Sequence, residues 1–149
     1  MKLLILALVI TAIATYSFAA DGVVTVQSSH DVPVTADRLE NLLQNKGMTV
    51  FNRIDQSAGA KGVGIELRPT VLVVFGNPKV GSPLMQCSQT AAIDLPQKAL
   101  IWEDGDGKTF ISYNDPAYVK KRHGVKGCEE VLAKITTALA NFAKGAAAP

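Results

Sequence analysis

The two cysteines, Cys87 and Cys128, are the residues with the most clearly defined chemistry. In an oxidising compartment paired cysteines tend to form disulfides, and closing a loop of about 40 residues would stabilise the fold by about 4 kcal/mol. Three interpretations stay open: a structural disulfide, two separate thiols of which at least one packs as a small apolar residue, and metal or redox chemistry. A thioredoxin-type mechanism lacks its Cys-x-x-Cys motif.

Thioether, thiolate and imidazole side chains together would suit a soft metal such as Cu(I). Met85 and Cys87 are close in sequence, and His30 and His123 are the only histidines. The spacing does not select a metal site, because residues 85 and 87 do not share a helical face. Met85 is more simply a filler of the core, and His123 suits the C-terminal end of a helix.

A polar segment at residues 76–82 separates the apolar run 71–75 from a predicted short helix. We expect Ser82 to cap that helix and Pro83 to occupy its first position. The unpaired N–H groups from Leu84 onward, together with Lys79, could then hold a small anion. The segment also contains an ordinary Asn-Pro turn signal and lacks the Gly-Lys-Ser/Thr ending of phosphate-binding loops.

The acidic run at residues 103–108 does not match a calcium loop. Counted from Asp104, the fifth, sixth and twelfth positions are Lys108, Thr109 and Asp115, where the loop needs a ligand, a glycine and a glutamate. The Gly-Asp-Gly turn instead predicts a β-hairpin. Two histidines and no nucleophile motif give no basis for a hydrolytic triad. We therefore assign no catalytic residue and no cofactor, and favour a protein that is not an enzyme.

Apolar periodicity and capping signals place these residues on short elements. An unbroken apolar run predicts a central strand covered on both faces, and a strand that follows one helix is expected near the preceding strand. Helices with a single apolar face predict a two-layer α+β domain, with a mixed or antiparallel sheet and helices packed on one face. The predicted strands span residues 23–27, 49–54, 71–75, 99–104 and 108–113, the helices span 35–46, 82–89, 115–123 and 127–143, and residues 57–64 could be a helical turn or a loop.

The ends of the chain predict export. Residues 1–19 have a positive start at Lys2, an apolar stretch and small residues before Ala20, as in a cleaved signal peptide. The apolar stretch is too short for a good membrane anchor. We expect a periplasmic or secreted protein with a single domain at residues 20–144, a flexible small-residue tail at 145–149, and no integral membrane segment after cleavage.

Charge gives no sign of a nucleic-acid partner. Removing residues 1–19 removes Lys2 and no acidic residue, so the formal net charge falls from +2 to +1. Nucleic-acid binding needs clustered positive charge. The cluster at residues 120–123 suits the solvated C-terminal end of a helix.

Several short motifs occur in one characteristic order. They are Arg53-Ile54-Asp55, Leu67-Arg68-Pro69-Thr70, Phe75-Gly76-Asn77-Pro78-Lys79, Pro83-Leu84-Met85, Asp94-Leu95-Pro96, Ser112-Tyr113-Asn114-Asp115-Pro116 and Arg122-His123-Gly124. Over residues 35–143 the chain thus resembles the family known as domain of unknown function 302. The resemblance implies a compact α+β domain and a homodimer. Gln56 stands where the family commonly has histidine, and glutamine cannot supply a proton near neutral pH as imidazole does.

That family has no assigned activity, so function must be inferred from the residues. We predict a non-catalytic module that binds a small anion, another polar ligand or a partner at residues 76–85, since a polar segment between apolar strands is a usual place for function. The candidate contacts are Arg53, Asp55, Asn77, Lys79 and Asn114. The alternative is a soft-metal or thiol redox protein using Met85, Cys87 and His123, and a third class is an envelope protein with an apolar interaction patch.

Overall fold

The computed structural model describes residues 21–149, so the expected signal peptide at residues 1–19 lies outside the described residues. The described part contains five strands, five α-helices and one 3₁₀ helix. Among its helices, none is both long enough and apolar enough to cross a membrane. In chain order the elements are β1 (Val23–Gln27), α1 (Val32–Asn45), β2 (Thr49–Asp55), α2 (Gln56–Gly62), β3 (Thr70–Gly76), α3 (Pro78–Cys87), the 3₁₀ helix (Gln89–Ile93), β4 (Gln97–Glu103), β5 (Thr109–Asn114), α4 (Pro116–His123) and α5 (Glu129–Ala147).

The strands form one antiparallel sheet in the order β1-β5-β4-β3-β2. β2, β3 and β4 each pair with the next strand in sequence, and β1 pairs with the remaining free side of β5. The expectation that β2 would lie near β1 is wrong, because these two strands form opposite edges. The α+β class with helices on an antiparallel sheet is confirmed.

The core lies on one face of the sheet. Val73, Ile101 and Ile111 are fully buried there, and α1 and α5 cover them while packing against each other. Leu39 of α1 and Leu139 of α5 are 1% and 4% exposed. Each such buried side chain contributes about 1.5–3 kcal/mol relative to an exposed one, so the predicted apolar stripe of the last helix does hold the two layers together.

β3 is central, as predicted, but only one of its faces is covered. Its residues alternate between buried and half-buried, and Leu72 and Val74 lie on the half-buried side. Register places Leu100, Trp102 and Phe110 on that same outer face, where the two aromatic rings stack with centroids 5.1 Å apart. The expectation of two covered faces was wrong because an unbroken apolar run hides this alternation.

Two helices begin earlier than predicted. Asp31, not Thr35, caps α1, and Thr35 is instead buried inside that helix. Asn77, not Ser82, caps α3, so Pro83 lies in the helix interior. In both helices an earlier Asp or Asn with proline in the following turn supplies the start.

The C-terminal end of the chain belongs to the fold. α5 continues to Ala147, three residues beyond the domain boundary expected at residue 144. The Arg38 guanidinium donates to the carbonyl oxygens of Gly145, Ala146 and Ala148 at 3.3, 3.0 and 2.9 Å. Ala146 and Ala147 are buried. The expected flexible tail is therefore wrong over residues 145–147, because Arg38 satisfies the last carbonyl groups of the helix.

Candidate functional site

The polar segment at residues 76–82 does not form the predicted anion loop. The Asn77 side chain accepts from the Lys79 N–H at 2.9 Å, and its backbone carbonyl accepts from the N–H groups of Val80 and Gly81 at 2.9 Å. Leu84, whose N–H was expected to be free, lies inside α3. The prediction of unpaired N–H groups from residue 84 onward is therefore wrong.

α3 instead forms one wall of a pocket of about 730 Å³. The other walls come from the C-terminal part of α1, the outer part of α5, and the sheet end where β3 ends and β4 begins. Small-molecule sites span about 300–1,000 Å³, so this volume suits a small ligand. Apart from two glycines, the apolar lining residues are Leu42, Met48, Phe51, Phe75, Pro78, Val80, Met85, Ala92, Leu95, Pro96, Ile135, Ala138, Leu139 and Phe142.

Two aromatic rings form the inner wall of the pocket. Phe75 from β3 is 1% exposed and meets Phe142 from α5 edge to face, with ring centroids 6.3 Å apart. At Gly81 on α3, an added Cβ would lie 3.8 Å from the side chain of Leu95. Because a single methyl group would already touch the opposite wall, a larger side chain at Gly81 would narrow the pocket.

Among the polar lining residues the only charged ones are two lysines, so the formal charge of the lining is positive. The polar lining residues are Lys46, Asn77, Ser82, Gln97, Lys134 and Asn141, and none of the lining residues is acidic. Lys46 and Lys134 are exposed, so both amines lie at the solvent side of the pocket, here called the rim. A rim with charge of one sign favours ligands of the opposite sign.

Residues 88–96, here called the strap, close one side of the pocket with Ala92, Leu95 and Pro96. At the start of the strap, Cys87 forms a disulfide with Cys128, and their Cα atoms are 6.3 Å apart. The bond joins the end of α3 to the residue just before α5. Of the three interpretations of the cysteines, the structure has the disulfide, and it fixes two pocket walls to each other.

Asp94 anchors the other end of the strap to α4. Its carboxylate accepts from Arg122 at 3.0 Å and lies 2.6 Å from Nε2 of His123. Nδ1 of His123 is 3.1 Å from the Thr90 hydroxyl. The side chains of Asp94 and His123 are only 10% and 6% exposed. None of these four residues lines the pocket, and both ring nitrogens are bonded within the cluster, so we assign it the role of holding the strap.

Two of the predicted contact residues have partners away from the pocket. Arg53 on the edge strand donates to Asp37 at 2.5 Å and reaches Glu40 at 3.5 Å, and the hydrogen bond to Asp37 raises the pKa of its guanidinium. Asp55 caps α2. Its carboxyl group accepts hydrogen bonds from the Ser57 hydroxyl and from the Ala58 N–H, and these two bonds, the first more than the second, lower its pKa. Both residues therefore have structural roles in the described fold.

Among the remaining three predicted contacts, only Asn77 lines the pocket. Lys79 is exposed in the first turn of α3. Asn114 ends β5 opposite Val23. The structure therefore does not bring Arg53, Asp55, Asn77, Lys79 and Asn114 together into one site.

Each of the three predicted soft-metal ligands has another role in the structure. Cys87 has no thiolate because it is bonded to Cys128, Met85 lines the pocket, and His123 is bonded to Asp94. Within residues 21–149, no group of three His, Cys, Asp or Glu side chains is arranged to hold a metal ion. The structure therefore does not favour Met85, Cys87 and His123 as one set of metal ligands.

Sequence reasoning missed the residues that α1 and α5 bring to the pocket. By sequence pattern alone, Lys46 is an ordinary solvated residue at the end of a helix, and Phe142 continues the apolar stripe of the last helix. A partial signal exists on α5, because residues 134, 138, 141 and 142 follow one another at helical spacing along an edge of the apolar face. That spacing shows a shared helix side but not an empty space beside it.

Comparison with known proteins connects the chain to one family. The family model described as domain of unknown function DUF302 matches residues 24–142. A crystal structure of an uncharacterized conserved DUF302 protein from Bacillus stearothermophilus covers 85% of this chain and 99% of its own, with a TM-score of 0.77 and 22% sequence identity. At that identity the likeness shows the fold alone.

Two curated relatives carry the name fluoride-specific ion channel FluC 1. They come from Brucella suis biovar 1 (strain 1330) and Brucella abortus biovar 1 (strain 9-941), and each is 45% identical to this chain over 118 residues. The match covers 79% of this chain but only 46% and 44% of the relatives. The chain therefore spans less than half the length of these curated relatives.

Proposed function

The chain belongs to the DUF302 family, and from that premise we propose that it is an exported, non-catalytic module that binds a small, largely apolar molecule in its pocket. The observation that supports this is the pocket of about 730 Å³ between α1, α3 and α5. Protein interiors leave few voids larger than a water molecule. Apolar walls with a few polar groups at the edge are typical of small-molecule sites.

This proposal moves the ligand from the loop to the pocket. The sequence suggested a small anion on backbone N–H groups near residues 76–85, but those of the first turn of α3 are already bonded. Asn77 remains a lining residue. The relatives' fluoride-channel name refers to proteins more than twice as long as the matched region, so it is not carried over to this domain.

Filling the pocket tests the proposal. Ala138 lines the pocket from α5, so Ala138→Trp should occupy the space of a ligand without changing the backbone. Ala133→Trp is the matched control, because Ala133 lies on the same helix but is exposed and does not line the pocket. The neutral probe N-phenyl-1-naphthylamine should brighten with the wild type and the control, and remain dim with Ala138→Trp. Equal brightening with all three proteins would contradict the proposal.

Export is supported by the disulfide and by the leader-like residues 1–19. Disulfides persist in oxidising compartments and are rare in the cytosol, and the described part of the chain contains the bonded pair Cys87 and Cys128. N-terminal sequencing of protein from a periplasmic fraction should begin at Ala20. Full-length chains starting at Met1 in the cytosol would rule out this part of the proposal.

The homodimer is proposed to form through the outer face of the sheet, which carries Leu72, Leu100 and Trp102. One face of an antiparallel sheet can stay in water, but a face with several large apolar side chains is typical of an interaction surface. Sedimentation should show a dimer for the wild type and a monomer for Leu100→Glu. A wild type that stays monomeric at high concentration would exclude the dimer.

A further inference from the structure

We propose that the pocket takes an amphiphile with one anionic head group, a medium-chain carboxylate being the simplest example. Its alkyl part would lie against the inner wall at Phe75 and Phe142, and its head group would meet the rim at Lys46 and Lys134. This inference rests on the proposed function and adds the chemical class of the ligand.

The charges around the pocket support an anionic head. The lining residues include Lys46 and Lys134 and no acidic residue. Asp94 is the carboxylate next in sequence to lining residue Leu95, but its side chain faces α4, where it accepts from Arg122. Among the residues that line the pocket, a cationic head group would therefore meet only like charge, and like charges repel.

Both rim amines can reach a ligand. The structure gives the Lys46 amine no carboxylate partner among residues 21–149. Lys134 pairs with Glu130 at 2.7 Å, but the two side chains are 72% and 83% exposed. Exposed pairs of this kind contribute little free energy, so Lys134 can exchange Glu130 for a ligand carboxylate at small cost.

The polar side chain at the start of α3 is partly engaged by the fold. The Asn77 side chain donates to the carbonyl oxygen of Gly47 at 3.2 Å and accepts from the Lys79 N–H at 2.9 Å. One of its two N–H donors is therefore used, and the amide carries no charge. We place the head group at the lysine rim, because a carboxylate is attracted more strongly by a charged amine than by a neutral amide.

The walls suit a flexible alkyl chain. Met85 and Leu95 face the pocket from α3 and the strap, and methionine adapts its shape to irregular apolar partners. Each methylene added to the ligand should tighten binding by about fourfold until the pocket is full. We expect the affinity to rise with the length of the ligand's alkyl chain and then to level off, because the inner wall of the pocket limits the length that fits.

Three ligands with the same chain separate the head group from the pocket. Decanoate, decanol and decyltrimethylammonium, each below its micelle concentration, should compete for bound N-phenyl-1-naphthylamine in that order of affinity. Lys46→Gln with Lys134→Gln should weaken decanoate by roughly three- to tenfold and leave decanol unchanged. Lys61→Gln is the control, because Lys61 is exposed on α2 and does not line the pocket. Added salt should weaken decanoate alone.

The outcomes distinguish the two proposals. Equal affinity for decanoate and decanol would overturn the anionic head group and leave the apolar pocket standing. Tighter binding of decyltrimethylammonium would overturn the sign of the charge. No competition by any of the three, with no effect of Ala138→Trp on the probe, would overturn the proposed function itself. If the protein floats with phosphatidylglycerol vesicles but does not bind decanoate, the lysines recognise the anionic head groups of a bilayer. That result would overturn the proposal of a free amphiphile as the ligand.

Discussion

Loss of the disulfide is the perturbation whose cost can be worked out most directly from the structure. Cys87 and Cys128 are 41 residues apart in sequence. Opening a loop of that length in the unfolded chain removes about 4 kcal/mol of stability at 25 °C. With an unfolding entropy of about 2.1 cal/mol/K per residue over roughly 130 residues, this corresponds to a fall of about 14 °C in Tm.

The variant Cys87→Ser with Cys128→Ser removes the bond with little change in side-chain volume. Urea unfolding of this variant and of the oxidised wild type should differ by about 4 kcal/mol. The reduced wild type is the matched control. Reductant should bring the wild type to the stability of the variant and leave the variant unchanged, because only the wild type has a bond to reduce.

Loss of the disulfide should also destabilise one part of the structure more than the rest. Cys87 ends α3 and precedes the strap, so amide exchange should become faster in the strap and in the second half of α3. The β4–β5 hairpin should keep its protection relative to global unfolding. The reasoning is refuted if the oxidised wild type and the variant unfold at the same urea concentration. It is equally refuted if reductant destabilises the variant as much as the wild type.

Three further predictions concern single side chains. Leu84→Ala should cost about 2–5 kcal/mol in urea unfolding, because Leu84 is 1% exposed, and the exposed control Val80→Ala should cost far less. Arg38→Ala should cost about 2 kcal/mol and accelerate amide exchange at the end of α5; unchanged exchange there would contradict the role of its three bonds. Burial of the phenol raises the pKa of Tyr113, and the nearby negative charge of Asp115 raises it further. The stabilisation by the neutral phenol is therefore complete below the unfolded pKa of about 10, and it is lost as pH rises through the folded pKa. Tyr113→Phe should therefore lose less stability than the wild type between about pH 9 and 11, and parallel pH profiles would argue against this.

Helix ends and turns could be predicted from the sequence where the residues that determine them lie within a few positions of each other. The start of α4 is one example, because Asp115 caps it and Pro116 occupies its first position. Its end is another, since Gly124 has a φ of 59°, a conformation that glycine adopts without strain. The β4–β5 hairpin likewise follows from a glycine turn between two apolar runs. In these places local chemistry alone selects the backbone conformation.

The start of α3 could not be predicted, because two local signals compete. Asn77 and Ser82 are each followed by proline, and each pair is a good helix start. The structure uses Asn77, and its side chain also donates to the carbonyl oxygen of Gly47. That contact spans 30 residues of sequence, so it is invisible to any pattern around residue 77. Tertiary contact therefore decides which of two equivalent local signals begins the helix.

The pocket is harder to predict than any helix or strand for a different reason. Its walls come from residues as distant in sequence as Leu42, Phe75 and Phe142, and each of these has the pattern of an ordinary core residue. Periodicity shows which side of a helix turns away from water, but it does not show whether the space opposite is filled. What separates a pocket from a core is the distance between the elements, which here depends on the disulfide and on Asp94 holding the strap in place.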